Sequence, residues 1–297
     1  MPIKYNDLVM KQSVNNIKNL WWIPIGVLLI AFLVLGTYVD HDFASYAYGE
    51  NFLGTIVAYI GSAPGYALVG FVGPLLFIGL RNSEKKWLKY LGFAGLFVIP
   101  FISGLVYGYD IFYDSLKVAG LFVGAAIILV IDGLLAIPFW RGDSKEAVKD
   151  AFVIAIAFSL TFITVFALKH IVERPRPLYV FGDHDAFKPF LDFFSHIEGA
   201  DEDLLDSFPS GHSAIASTFL LFPIISKYND KTKKYGLLFF LLAALWLLFT
   251  MLGRMISGHH FLTDVCSGAI IGTFFSFLSN FLSQFVKPKK KDEAENG

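Results

Sequence analysis

Charge is scarce in this chain. Only 16% of its 297 residues are Asp, Glu, Lys or Arg, against roughly 25% in an ordinary soluble domain. Neither sign dominates. The net charge of -1 gives a nucleic acid or other polyanion no field to follow. Cysteine is nearly absent, and the lone Cys266 excludes an intrachain disulfide and any zinc cluster built on cysteine. No internal repeat is visible. What fills the space is apolar: 55% of the residues are hydrophobic and 32 are Phe. A soluble fold of this size cannot hide so much apolar surface in one core. An ordinary soluble enzyme, a disordered chain and a nucleic-acid-binding module are excluded, which leaves a polytopic membrane protein.

A helix needs about 20 mostly apolar residues to cross a bilayer. Eight stretches qualify as spans: 20–38, 53–80, 88–108, 117–140, 150–171, 211–227, 235–256 and 262–286. The expected fold is therefore an all-α transmembrane bundle of about eight spans. The first stretch follows a 19-residue head and is too long for a cleaved leader, so it reads as an anchor. The second is interrupted by Gly61, Pro64, Gly65, Gly73 and Pro74 and reads as one tilted or kinked crossing. With both ends of the chain on the cytoplasmic side, 18 of the 24 basic residues fall on that side, as the positive-inside rule requires. Trp21, Trp22, Trp87 and Trp140 fall at the same interface. All seven His then lie on or near the opposite, outer face. Chemistry is expected there, in a cell membrane protein, between spans five and eight. The charged tail 287–297 is expected to be disordered.

Three outer segments carry reactive residues in quantity. After span five the chain reads Lys169-His-Ile-Val-Glu-Arg174-Pro-Arg176-Pro177. Pro175 and Pro177 stop the helix and aim an ammonium and a guanidinium at one mouth. At span six it reads Ser207-Phe-Pro209-Ser210-Gly211-His212. A helix start with free N–H groups, and a glycine allowing close approach, favours an anion. Before span eight it reads Gly253-Arg254-Met-Ile-Ser-Gly-His259-His260-Phe-Leu-Thr-Asp264. Arg254 adds a planar fork suited to an oxyanion. His260 and Asp264, four residues apart, share a helix face if span eight starts there. A carboxylate on one ring nitrogen makes the other nucleophilic. His212, on another helix, can serve as general acid and base.

These blocks resemble the three signatures of the type 2 phosphatidic acid phosphatase superfamily, Lys-x6-Arg-Pro, Pro-Ser-Gly-His and Ser-Arg-x5-His-x3-Asp, in that order. The matching residues are Lys169, Arg176, Pro177, Pro209, Ser210, Gly211, His212, Arg254, His260 and Asp264. Gly253 departs from the usual Ser. The resemblance implies a six-helix catalytic core over 88–286, an N-terminal head with two additional spans over 1–87, and the tail 287–297. It implies a metal-independent phosphatase with a phosphohistidine intermediate and no cofactor. In it His260 is nucleophile, Asp264 orients it, and His212 is acid and base. Lys169, Arg176, Ser210, Gly211 and Arg254 bind phosphate. Soluble vanadate haloperoxidases look similar at these motifs, but eight spans argue against them.

Lys169, Arg176 and Arg254 could be snorkelling interfacial residues, a reading that the triple match disfavours. His259 reads as a solvent or headgroup contact and Arg174 as a structural or rim cation. A metal site from His184, His196, His212 and His260 has no recognisable ligand spacing. Asp132, inside span four, reads as a hydrogen-bonded structural acid in preference to a proton relay. Residues 185–198 have helical apolar spacing and are expected to lie in the outer interface, either bordering the route by which lipid reaches the site or as a plain anchor. The acids at 201–206 read as solvated. The expected activity is removal of a terminal phosphate from a lipid phosphate or diphosphate: phosphatidate, phosphatidylglycerol phosphate, a polyprenyl diphosphate or a sugar-lipid phosphate. A phosphotransferase sharing the first half-reaction and a non-catalytic carrier of phosphorylated lipids are the alternatives. The partners expected are the substrate and membrane lipids, with no nucleic acid; oligomeric state is not readable from the sequence.

Overall fold

The computed structural model describes residues 20–49, 52–139, 146–181, 186–190, 192 and 204–285. Among these residues the architecture is all-helical. The long helices are α1 (Trp22–Ala47), a broken second crossing made of α2 (Phe52–Ile60), α3 (Ala63–Gly70) and α4 (Val72–Leu80), α5 (Lys86–Leu116), α6 (Val118–Ala136) and α7 (Glu146–Ile171). A short α8 (Pro177–Val180) follows, then α9 (Gly211–Thr218), α10 (Pro223–Ser226), α11 (Gly236–Ile256) and α12 (Leu262–Ser283). Seven helical stretches are long and apolar enough to cross a membrane, and the protein is an integral membrane protein. The sixth expected span is a shorter helical stretch, Gly211–Ser226. At about 1.5 Å per residue it falls short of a full crossing. It is also largely buried inside the bundle, so it need not meet lipid at both faces.

The break in the second crossing has a visible cause and a visible remedy. Ser62 precedes Pro64 at the start of α3, and proline cannot donate to the preceding turn. The carbonyl of Gly61 left over at the break accepts from Trp246 Nε1 at 2.9 Å and from Thr250 Oγ1 at 3.2 Å, both on α11. Side chains of a neighbouring helix thus satisfy the freed backbone group, as a bilayer demands.

α12 packs against α1, α7 and α9, while α11 packs against α2 and α9. The antiparallel pair α5 and α6 packs against α3 and α4. The first two crossings, which the sequence sets outside the core, therefore touch the helices that carry the reactive motifs. Close approach of α9 to α12 depends on Gly268 and Gly272. A Cβ at either would run into the backbone oxygen of Ser210 or of Ala214. Gly253, where the resembled family has Ser, lies against Val57 so closely that a Cβ would overlap that side chain. The departure lets α2 sit on α11.

At the end of the bundle away from the motifs, Tyr228 and Lys227 both bind the buried Asp150. Trp22 is buried against Phe240 and Phe277, so this indole is a core group, whereas Trp87 is exposed. Trp140, the head and tail, the acids 201–203 and most of the expected helix at 185–198 lie outside the described residues.

Candidate active site

The segment after α7 and the segment before α9 are stitched together. Ser207 N donates to the Arg174 carbonyl at 3.0 Å and Arg176 N donates to the Leu204 carbonyl at 2.8 Å, with a parallel bridge between Arg174 and Asp206. This brings the first two motifs side by side. Lys169 Nζ, in the last turn of α7, is held 3.0 Å from Asp206 Oδ2 and donates to the Asp206 carbonyl at 2.6 Å. Gly211 opens α9, and Ser210 is its N-cap. The Ser210 hydroxyl accepts from Ser213 N at 3.4 Å and from the Ser213 hydroxyl at 3.1 Å, and Ser210 N donates to the Asp264 carbonyl at 3.0 Å.

These elements surround one cavity of about 1050 Å³, lined by Lys169, Arg176, Gly211, His212, Arg254, His259 and His260. Arg254 is only 6% exposed. Its Nε is buried and without a hydrogen-bond partner among the described residues. A desolvated guanidinium facing two further cations is costly unless an anion completes the site. Ser210 and Asp264 stand behind the cavity wall. The hydroxyl expected to meet phosphate instead caps α9, because an N-cap oxygen is drawn to the free N–H groups of the first turn. His259, read as a headgroup contact, lines the cavity beside His260.

The histidine geometry differs from expectation in one respect. α12 begins at Leu262, so His260 precedes the helix and does not share a face with Asp264. Asp264 is instead in the first turn, where its Oδ2 accepts from Phe261 N at 2.8 Å and from Ser207 Oγ at 2.6 Å. The Nδ1 of His260 meets the carbonyl of Ser207 at 2.6 Å. A carbonyl only accepts, so Nδ1 carries the proton and Nε2 keeps its lone pair. Burial, followed by the charges of Arg254, Lys169 and Arg176, holds the His260 imidazole well below its ordinary pKa. Burial and the charges of Arg254 and Arg176 pull His259 down to about 3. The site therefore offers a neutral, oriented imidazole facing three cations, with a second imidazole, His212, on a separate helix. His212 Nε2 lies 3.3 Å from the Ala58 carbonyl of α2.

Behind this stands a network that the motifs do not announce. Arg174, fully buried, donates through Nη1 to Asp264 Oδ1 at 2.5 Å and to Thr263 Oγ1 at 2.7 Å. Through Nη2 it reaches Asp40 Oδ2 at 2.9 Å, and through Nε the Lys188 carbonyl at 3.1 Å. Asp40 Oδ1 accepts from Thr263 N at 2.9 Å, and Thr263 Oγ1 donates to Asp40 Oδ2. Arg174 is thus a structural cation and not a rim one. Asp40 and Ser207 carry no motif that marks them. The only sequence signal for Asp40 is an acid directly following the apolar run of the first span.

Residues 150–287 match the PAP2 superfamily. The matched segment makes up a little under half of the chain. All the motif residues lie inside it, whereas Asp40 and the second crossing lie outside it. The chain is also similar to a lipid A 1-phosphatase of Rhizobium johnstonii. The two are 32% identical over 165 residues, which cover 52% of this chain and 58% of that relative. The similarity thus spans less than two thirds of the relative's length. No solved structure matches the chain. Among the described residues no three His, Cys, Asp or Glu side chains are grouped to hold a metal ion. His184 and His196 lie outside the described residues.

Proposed function

We propose that the protein is a membrane lipid phosphatase that removes a terminal phosphate through a phosphohistidine. The observation that carries this reading is the convergence of Lys169, Arg176 and Arg254 with His212 and His260 on one cavity. The PAP2 match and the similarity to a lipid A 1-phosphatase support it. Lys169, Arg176 and Arg254, with the N–H groups at Gly211, take the phosphoryl oxygens and stabilise charge on them in the transition state. His260 Nε2 attacks phosphorus, the bond from phosphorus to the lipid oxygen breaks, and His212 gives that oxygen a proton. Water then attacks the phosphohistidine while His212 takes its proton, and inorganic phosphate leaves. Asp264 acts as a positioning residue. It holds the Ser207 hydroxyl and the Phe261 N–H, so the carbonyl that orients His260 and the backbone next to it are both fixed.

The orientation reading is that this cavity faces outward across the cell membrane, with both chain ends in the cytoplasm. Its support is that Arg81, Lys85, Lys86, Lys89, Lys149, Lys227, Lys231, Lys233 and Lys234 all fall in segments at the other end of the helices. Positive-inside bias supports that end as the cytoplasmic one.

The test uses the purified full chain in detergent with a lipid labelled in its terminal phosphate. The expected result is label released as inorganic phosphate, and, on rapid quenching, an acid-labile, alkali-stable phosphoryl label on the protein that His260→Ala lacks. Label passed to a second lipid would indicate a transferase. Turnover that persists in His260→Ala would overturn the nucleophile assignment.

A further inference from the structure

The cavity is far larger than a phosphoryl group requires. At about 1050 Å³ it slightly exceeds the range that takes a whole drug-sized ligand, about 300–1,000 Å³. Beyond the phosphate cradle its wall comes from different helices. Tyr59 on α2, Tyr66 on α3, and Tyr109 and Asp110 on α5 all line it. α5 packs chiefly on α3, α4 and α6, whereas the three cations belong to α7, α11 and the segment after α7. Asp110 is nonetheless close enough to feel the charges of Arg254 and Lys169. Its side chain is exposed to the cavity, and the Tyr66 hydroxyl reaches its Oδ2 at 3.5 Å, the long end of hydrogen bonding.

A carboxylate here is paradoxical for a site that binds phosphate alone. It repels the phosphoryl group and competes for its cations. It becomes useful if the group carrying the phosphate has hydrogen-bond donors of its own. A carboxylate accepts bonds from hydroxyls or an ammonium; the exposed rings of Tyr59 and Tyr109 offer apolar contact to such a group, while the buried Tyr66 contributes its hydroxyl beside Asp110. The donor chemistry then separates the candidate lipids. Phosphatidate and polyprenyl diphosphates present no donor beside the scissile oxygen. A glycerol headgroup presents one hydroxyl, and a saccharide presents several.

We propose that Asp110, with Tyr59, Tyr66 and Tyr109, forms a headgroup subsite that selects lipid phosphates whose phosphate is carried by a hydroxyl- or amine-bearing group, a saccharide above all. This rests on the phosphatase reading and narrows its substrate class. Asp110 is a specificity residue and takes no part in the chemical steps.

The experiment compares kcat/KM of the full-length protein for phosphate release in mixed micelles. The substrates are a glucosamine-based glycolipid 1-phosphate, phosphatidylglycerol phosphate, phosphatidate and a polyprenyl diphosphate. The glycolipid is expected to be preferred over phosphatidate by about tenfold or more, the worth of a hydrogen bond to a charged group, with phosphatidylglycerol phosphate between them. Asp110→Asn is expected to collapse that ratio. A preference for phosphatidate or the polyprenyl diphosphate would overturn the proposal. So would an Asp110→Asn variant that lowers every substrate by the same factor, because that marks a residue that merely holds Arg254 or the fold. Equilibrium binding of the same lipids to His260→Ala separates this inference from the phosphatase reading. If no lipid is hydrolysed but the glycolipid phosphate still binds tighter than phosphatidate, and Asp110→Asn removes the difference, the subsite stands and the reaction fails. Equal binding of the two lipids sinks the subsite whatever the reaction.

Discussion

Arg174 and Asp264 are joined by a hydrogen bond of 2.5 Å in which neither side chain touches solvent. The other arm of the same guanidinium reaches Asp40 on α1. One planar fork, always charged, therefore clips the end of the first motif, the first turn of α12 and the first crossing at a single point. His260 lies two residues before α12. Its position depends on a contact with a helix that belongs to no motif.

Asp40→Asn is expected to lower thermal stability and kcat together while KM stays close to wild type. The amide keeps the shape but weakens the pairing with Arg174, and breaking one partner out of a buried ion pair costs about 3–5 kcal/mol when it leaves a charge uncompensated. Thermal unfolding in detergent and initial rates of phosphate release check this. An Asp40→Asn protein with both quantities unchanged would remove α1 from the support of the site.

The histidines fix a pH response with a definite sign. His259 in the folded protein has its pKa lowered to about 3, against about 6.5 in an unfolded chain. Between those values the unfolded state takes up a proton that the native state refuses, so stability falls as pH drops through that window and is unaffected above it. His260 is displaced in the same direction by burial and then by Arg254, Lys169 and Arg176. Arg254→Met is expected to raise the His260 pKa, since a cation that disfavours imidazolium has gone. Nitrogen NMR of labelled histidine, read against pH in both proteins, measures the shift without needing activity. A His260 resonance that titrates at its ordinary value in the wild type would refute the electrostatic reading.

Gly272→Ala is expected to be destabilising by about 1–3 kcal/mol, the range for forced overpacking, and to slow phosphate release. Its Cβ would overlap the Ser217 hydroxyl and the Ala214 carbonyl, pushing away the helix that carries His212. Gly26→Ala is the control. Nothing lies within 4 Å of its Cβ position, and replacing a mid-helix glycine by alanine gains about 0.5–1 kcal/mol. Denaturation midpoints of the two variants should move in opposite directions.

Asp132 is 1% exposed on α6, and neither carboxyl oxygen has a hydrogen-bond partner among the described residues. The hydrogen-bonded acid expected from the sequence is therefore not what is found. A group this isolated has no relay to hand a proton to. Asp132→Asn is expected to leave phosphate release unchanged and stability no lower than wild type, measured by rate assay and thermal unfolding. Loss of turnover in a folded Asp132→Asn protein would revive the proton-relay reading.

The class of this protein, its crossings and its three reactive blocks were legible in the sequence because each is local. An apolar run long enough to span a bilayer, a proline that ends a helix and a run such as Pro209-Ser210-Gly211-His212 carry their meaning within a few residues. The partner of His260 was not legible. Spacing suggested Asp264, but α12 starts after His260, so a backbone carbonyl 53 residues away took that place. Asp40 and Asp110 follow apolar runs, and no motif in the sequence singles them out. Only the tertiary structure decided that one is buried against Arg174, 134 residues on, and that the other faces the cavity lined by the three motifs. Helix packing decides which distant carboxylates share a cavity or a cation, and no residue pattern along the chain encodes that distance.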